Sequence, residues 1–299
     1  MLDSRSSHIL ALGSVAVSLT VLALKGAAWY MTGSVALYSD AMESFVNVAG
    51  AVLAWIAIRI AERPADSNHP FGHHKAENFS AIAEGSLIIV AAILILQEAV
   101  WALQAPGSLE EFDPVGLAVN AVAMVINLAW ARVLITAGKR RRSPALGANG
   151  RHLMTDVWTS AGVLGGLGVA LLTGWAFLDP LIAMLVAVNI VREGWHVVFD
   201  SAGDLMDSAA RAEDRRVIET AVRNSSGGAL QIHDLRTRRA GRSIFIEFHL
   251  VVDRDMSVGD AHDICDAIED AIEDEIPGAR TIIHVEPDDM LKAKGIHPV

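Results

Sequence analysis

The stretch VALYSDAMESFVN, residues 35–47, lies within an apolar run long enough for a membrane helix, yet it carries Asp40, Glu43 and Asn47. Spaced i, i+3 and i+7, the three share one helix face. An acid at the centre of a bilayer costs about 2.5–3.5 kcal/mol on insertion scales. Two acids on one face imply that something positive visits them.

Working outward, six apolar segments approach the roughly 20 residues needed to cross a bilayer. They run over 9–31, 35–58, 79–103, 115–135, 154–175 and 178–198. Their Gly and Ala content lets helices approach closely. The first is read as a span, not as a cleavable signal, because its apolar stretch continues without a clear small-residue cleavage site. Among the connections, TGS, APGSLEEFDP and TGWAFLDP hold no Lys or Arg. The alternate set is basic, with Arg59, Arg63 and Lys75, then KRRR at 139–142. The positive-inside rule therefore puts both termini in the cytoplasm. An acidic chain of this kind suits a bacterial inner membrane. The basic run is a topology determinant or a lipid headgroup contact, and nucleic acid is not expected as a partner.

The chain is 52% hydrophobic but has a net charge of -11, so apolar and charged residues must be segregated along it. The change comes near residue 208. Beyond it, AARAEDRRVIETAVRNSS has the pattern of an amphipathic helix that stops at Gly227 and Gly228. IHDLRTRRA and SIFIEFHLVVD alternate like strands joined at Gly241, and SVGDAHDICDAIEDAIEDEIPG is an acidic helix. TIIHVEP is a last strand. The fold class expected is an α-helical membrane protein with six transmembrane helices and a small cytoplasmic α+β domain, α-β-β-α-β, of ferredoxin or metallochaperone type. Residues 1–207 form the membrane domain and 208–299 the small cytoplasmic domain. The single cysteine, Cys265, excludes an intramolecular disulfide and a cysteine-rich zinc cluster, and is expected to be a core thiol.

RHLMTDVWTS, in the fifth apolar segment, brings His152 and Asp156 to one face at i, i+4, as Glu43 and Asn47 are in the second. If the two helices face each other, one imidazole and three side-chain oxygens meet. That donor set suits a divalent transition metal in tetrahedral geometry. Asp40, one turn earlier, is a further candidate. A plainer alternative, that each polar group bonds a neighbouring helix, is common for a lone Asn or His but weak for two acid-bearing pairs.

These motifs resemble those of the cation diffusion facilitator family, exporters of zinc and other divalent metals, and the resemblance covers essentially the whole chain. It implies that Glu43, Asn47, His152 and Asp156 are the transport site. His152 and Asp156 match the family pattern, whereas Asn47 stands where an acid is usual and so leaves metal identity open. In PADSNHPFGHHKAEN, residues 64–78, the resemblance implies a second metal site at Asp66, His69 and His73, with His74 an extra and Gly72 a turn. In the tail it implies zinc ligands at His249, His284 and Glu286, with contributions from His233 and His262. It further implies a homodimer held near the membrane by a Lys75–Asp207 pair. Zinc is the first expectation for cargo, with iron, manganese, cobalt, nickel or cadmium as others.

A ligating imidazole must be neutral, so protons and metal compete for it. That predicts metal/proton antiport by alternating access. A membrane metal sensor acting only through its tail is the main alternative. No enzyme is expected, since neither HExxH nor GxSxG is present. A channel fits buried charged ligands less well than a carrier does.

Overall fold

The computed structural model describes residues 2–32, 35–104, 114–173 and 177–298. Side chains are not described at several helical positions, among them Asp40 and Glu43. Six long helices come first: α1 (Leu2–Thr32), α2 (Val35–Ala61), α3 (Ala76–Gln104), α4 (Pro114–Arg140), α5 (Pro144–Thr173) and α6 (Leu178–Leu205). Among the described residues, four segments are long and apolar enough to cross a membrane: Ser7–Ala27, Ser44–Ala61, Ala76–Trp101 and Ala118–Arg140. With the smaller domain below, this is a helical membrane protein carrying a C-terminal α/β domain.

Each helix buries a narrow stripe and leaves large apolar residues outward. In α2 the stripe is Ser44, Asn47, Ala51, Ala54 and Ile58; Phe45, Leu53 and Ile56 face out. In α3 it is Ala81, Glu84, Ile88 and Ala92, with Ile93 and Leu94 outward. Small residues set the spacing. A Cβ at Gly85 of α3 would lie 3.1 Å from the Gly194 carbonyl oxygen of α6, and one at Gly194 would lie 3.0 Å from that of Gly85. Only glycine permits this backbone approach.

Helix α5 begins at Pro144, ten residues before the expected 154. Its first turns, PALGANGRHL, are too small and polar to register as a span. They are helical because Pro144 suits the first helical position and the Leu146 N–H donates to the Ser143 hydroxyl at 3.3 Å, an N-cap. They are buried because Gly147 lets α4 approach: a Cβ on Gly138 would lie 2.7 Å from its nitrogen. His152 and Asp156 thus sit well inside the helix instead of at its start.

The second compact unit spans Gly203–Val299. It holds α7 (Ala212–Ser225), β1 (Gln231–Ala240), β2 (Ser243–Val252), α8 (Val258–Glu275) and β3 (Arg280–Pro287). The sheet order is β1-β2-β3, with β1 and β2 antiparallel and β2 and β3 parallel. Ile244, Ile246, Phe248 and Leu250 alternate along β2 and pack with Ile218 and Val222 of α7 and with Ile268 and Ile272 of α8. Both helices therefore cover one sheet face, and His249, between two core residues, belongs to the other. Ser257 caps α8 by accepting the Asp260 N–H at 3.1 Å. Cys265 is buried in this core, where burial pushes its thiol up. The chain end closes the outer edge of β1: the Ile232 N–H donates to the Ile296 carbonyl at 2.8 Å and receives the reverse bond at 2.7 Å.

Candidate metal sites

The helical unit places Asn47 against Asp156. The Asn47 amide Nδ2 donates to Asp156 Oδ2 in a short hydrogen bond, joining α2 to α5. Asn47, His152 and Asp156 are all at least 95% buried. Turning its N–H toward the carboxylate leaves Asn47 Oδ1 without a hydrogen-bond partner, and His152 Nδ1 has none either. Buried polar atoms are normally satisfied, so two orphans in one bundle core are unusual. Both are lone-pair donors of the type that binds a divalent transition metal. The side chains of Glu43 and Asp40, the other residues read as ligands on α2, lie outside the described residues.

The α2–α3 loop brings Asp66, His69 and His73 together. His69 Nδ1 is 3.1 Å from Asp66 Oδ1, His73 Nε2 is 3.4 Å from Asp66 Oδ2, and the imidazole centroids are 4.2 Å apart. The turn is built by Asp66 itself, whose Oδ1 accepts the backbone N–H groups of Asn68 at 2.9 Å and His69 at 2.7 Å. These bonds, the His69 one first, hold its carboxyl below the usual carboxylate range. Gly72, at φ +86°, supplies the left-handed turn that returns His73 to Asp66. His74 does not join them; its ring packs over Gly72, with Nε2 3.1 Å from where a Cβ would be.

In the tail, register does the positioning. His233 of β1 pairs with His249 of β2, and His249 pairs with His284 of β3, so three imidazoles form a row across the sheet. Successive ring centroids are 5.1 and 4.9 Å apart. Glu286, two residues beyond His284, joins the same face. Its carboxylate lies 3.0 Å from His233 Nε2, 2.8 Å from His249 Nδ1 and 3.9 Å from His284 Nε2. At these distances neither His233 Nε2 nor His249 Nδ1 is in hydrogen-bonding geometry. His262 is not brought to this row: it lies on α8, in the helix layer, 71% exposed beside Asp266.

Sequence reasoning missed Asp234. It adjoins His233 at a bulge, with φ +54°, and its carboxylate comes to 3.5 Å from His233 Nδ1, within a group with His233 and His249 able to hold a metal. Lys292 hydrogen-bonds it at 2.7 Å and holds it below the usual carboxylate range. A strand pattern gives no sign of the bulge that aims it. Also missed was Glu84, an acid in the third apolar segment; its signal was present but had no acidic or histidine partner at i±3 or i±4. Of the two residues expected to pair at the membrane, Lys75 and Asp207 fall in different compact units. Within its own unit Asp207 comes 3.4 Å from Arg238.

Known proteins with the same features were then compared. The family model for the cation efflux transmembrane domain matches residues 11–206, and that for the cation efflux protein cytoplasmic domain matches residues 210–288. An uncharacterized transporter of Synechocystis sp., sll1263, is 41% identical over 96% of this chain and 92% of its own. The cation-efflux pump FieF of Shewanella oneidensis is 33% identical over 92% of each chain. A solved chain of the transporter CzrB in its zinc form is 42% identical, over 29% of this chain and 98% of that one, with a TM-score of 0.28. Two family models covering almost the whole chain, with relatives matched nearly end to end, place this protein in the cation efflux, or cation diffusion facilitator, family of membrane metal transporters.

Proposed function

We propose that this chain exports a divalent transition-metal cation in exchange for protons, as a homodimer in a bacterial inner membrane with both termini in the cytoplasm. The observation that carries the reading is two buried orphan donors, Asn47 Oδ1 on the residue hydrogen-bonded to Asp156 and His152 Nδ1 one helical turn before Asp156 on α5. Leaving such groups unsatisfied in an apolar bundle costs about 1–3 kcal/mol each. A cation that binds there offsets the cost, and its departure restores it. That suits a site which must release what it binds.

The transport ligands are Glu43, Asn47, His152 and Asp156, with Asp40 one turn away. The imidazole and oxygen set fits zinc first, then iron, cobalt, nickel, cadmium or manganese. His152 couples the two fluxes: metal binds the neutral imidazole, and a proton arriving from outside displaces it. Alternating access follows if the inward-facing and outward-facing states differ in affinity for the two. Residues 1–207 carry the transport route. Asp66, His69 and His73 form a loop site at its cytoplasmic mouth.

Residues 208–299 form the cytoplasmic domain. There His233, His249, His284 and Glu286 hold a resident metal, with His262 supplied across the dimer. A Lys75–Asp207 pair ties the protomers near the membrane. The loop charge bias supports the orientation.

Uptake of zinc, iron, manganese, cobalt and nickel into proteoliposomes under an imposed pH gradient tests the reading. One metal should accumulate in a manner that needs both the gradient and Asp156. No uptake of any metal, with metal still bound by the tail, would favour the sensor alternative instead.

A further inference from the structure

Glu84 has no role in the ligand sets above. It belongs to the buried stripe of α3, between Ala81 and Ile88, and is 0% exposed. Neither of its carboxylate oxygens makes a hydrogen bond of ordinary geometry. The Asn149 amide and the Arg151 guanidinium, both on α5, are the favourable groups near enough to act on it. The Ser14 hydroxyl donates to Asn149 Oδ1, so only the Asn149 amide N–H groups are left to face Glu84. A fully buried acid with so little compensation is among the most costly groups a bundle can hold. Structures retain such groups where a ligand makes up the difference.

The space beside Glu84 is defined by a missing side chain. A Cβ on Gly50 of α2 would lie 3.4 Å from His152 Nδ1 and 3.8 Å from Glu84 Cγ. The orphan nitrogen and the Glu84 side chain therefore flank one spot, kept open because residue 50 is glycine. That spot has a definite level in the bundle. Gly50 is three residues beyond Asn47 on α2, and His152 is four residues before Asp156 on α5, so both lie one turn, about 5.4 Å, nearer the α2–α3 loop. Glu84 likewise lies early in α3, close to that loop.

We propose that Glu84 and His152 Nδ1 form a second cation position, one helical turn from Asn47 and Asp156 on the loop side, which takes a divalent transition-metal ion on its way to them. This rests on the transporter reading above. One carboxylate and one imidazole select a borderline ion such as zinc, iron(II) or cobalt(II) over calcium or magnesium. The position gives the entering ion a negative charge where Asn47, being an amide, supplies none. His152 lies between the two levels, so its imidazole can take the ion at the first and, on turning, hand it to the second.

The test uses the full chain. Initial rates of cobalt uptake into proteoliposomes, measured against cobalt at the loop side, should show a KM raised about tenfold or more by Glu84→Gln, with a smaller change in kcat. Glu84→Asp should recover part of it. Gly50→Ala, which fills the shared spot without removing a donor, should raise KM in the same direction. The visible absorption of cobalt bound to the same proteins in detergent should lose a set of bands in Glu84→Gln that Asp156→Ala retains, since only the Asn47–Asp156 level is broken there. Superimposable cobalt titrations for wild type and Glu84→Gln, with equal KM values, would overturn the proposal. A chain that transports nothing but still shows the Glu84-dependent cobalt bands would sink the transporter reading and leave this site standing.

Discussion

Two of the three histidine-bearing sites are built by opposite means. In the helical unit, His152 and Asn47 reach their positions because small residues let α2, α3 and α5 pack closely, and the polar atoms that meet there have no exit to water. In the tail, strand register lays His233, His249 and His284 in a row that climbs from 1% to 34% to 67% side-chain exposure. Glu286 reaches across the row, at the buried end. A dry site makes binding and release of charge costly steps that a conformational change can govern. A graded site on an open sheet face exchanges ions with solvent and leaves one imidazole accessible to a neighbouring molecule. On the function proposed above, the first carries transport and the second a resident metal.

The largest effect that could break this division is Asp156→Ala. It should cut transport more than about 100-fold, beyond what loss of an outer-shell partner does, while metal bound by the tail is unchanged. Equal loss at both sites would mean that they are not separate. Next comes Phe248→Ala. Phe248 is 1% exposed at the centre of the tail core, so its truncation should cost about 3–5 kcal/mol of tail stability. Limited proteolysis should then cleave the tail and spare the helices.

Asn47→Asp sharpens the comparison. Two carboxylates would face each other where an amide now donates to Asp156. The metal-free protein should melt at a lower temperature, and zinc should raise Tm more than it does in wild type. A Tm equal to that of wild type in chelator would argue that Asp156 is not where Asn47 meets it.

The smallest effect concerns Lys292. Its ammonium lowers the Asp234 carboxyl, so the pair contributes stability above the unfolded carboxylate value, near 3.9, and loses it as pH falls through the lower folded value. Lys292→Ala should move Asp234 back toward the ordinary value by nuclear magnetic resonance titration. It should change stability only slightly, because the pair is exposed.

Much of this was legible before any coordinates. The i, i+4 spacing of His152 and Asp156 fixes a shared helix face whatever the tertiary arrangement. Alternating core residues in β2 likewise consign His249 to the opposite face. Asp66, His69 and His73 were legible through the family resemblance, and Gly72 marked the turn that gathers them. The beginning of α5 was not, since its burial depends on α4 and small polar residues carry no periodic signal. Glu84 was visible as an isolated acid, but its closeness to His152 depends on the crossing of three helices at Gly50, which no local spacing encodes. Asp234 depends on a bulge. His262 shared only its residue type with the row, and the helix layer separates them.

The most direct test of the central claim is zinc uptake by proteoliposomes under an imposed pH gradient, with wild type and Asp156→Ala compared. The account predicts gradient-dependent accumulation by wild type and none above background for the variant. Equal accumulation by both would contradict it, because the buried site between α2 and α5 would then not lie on the path of the ion.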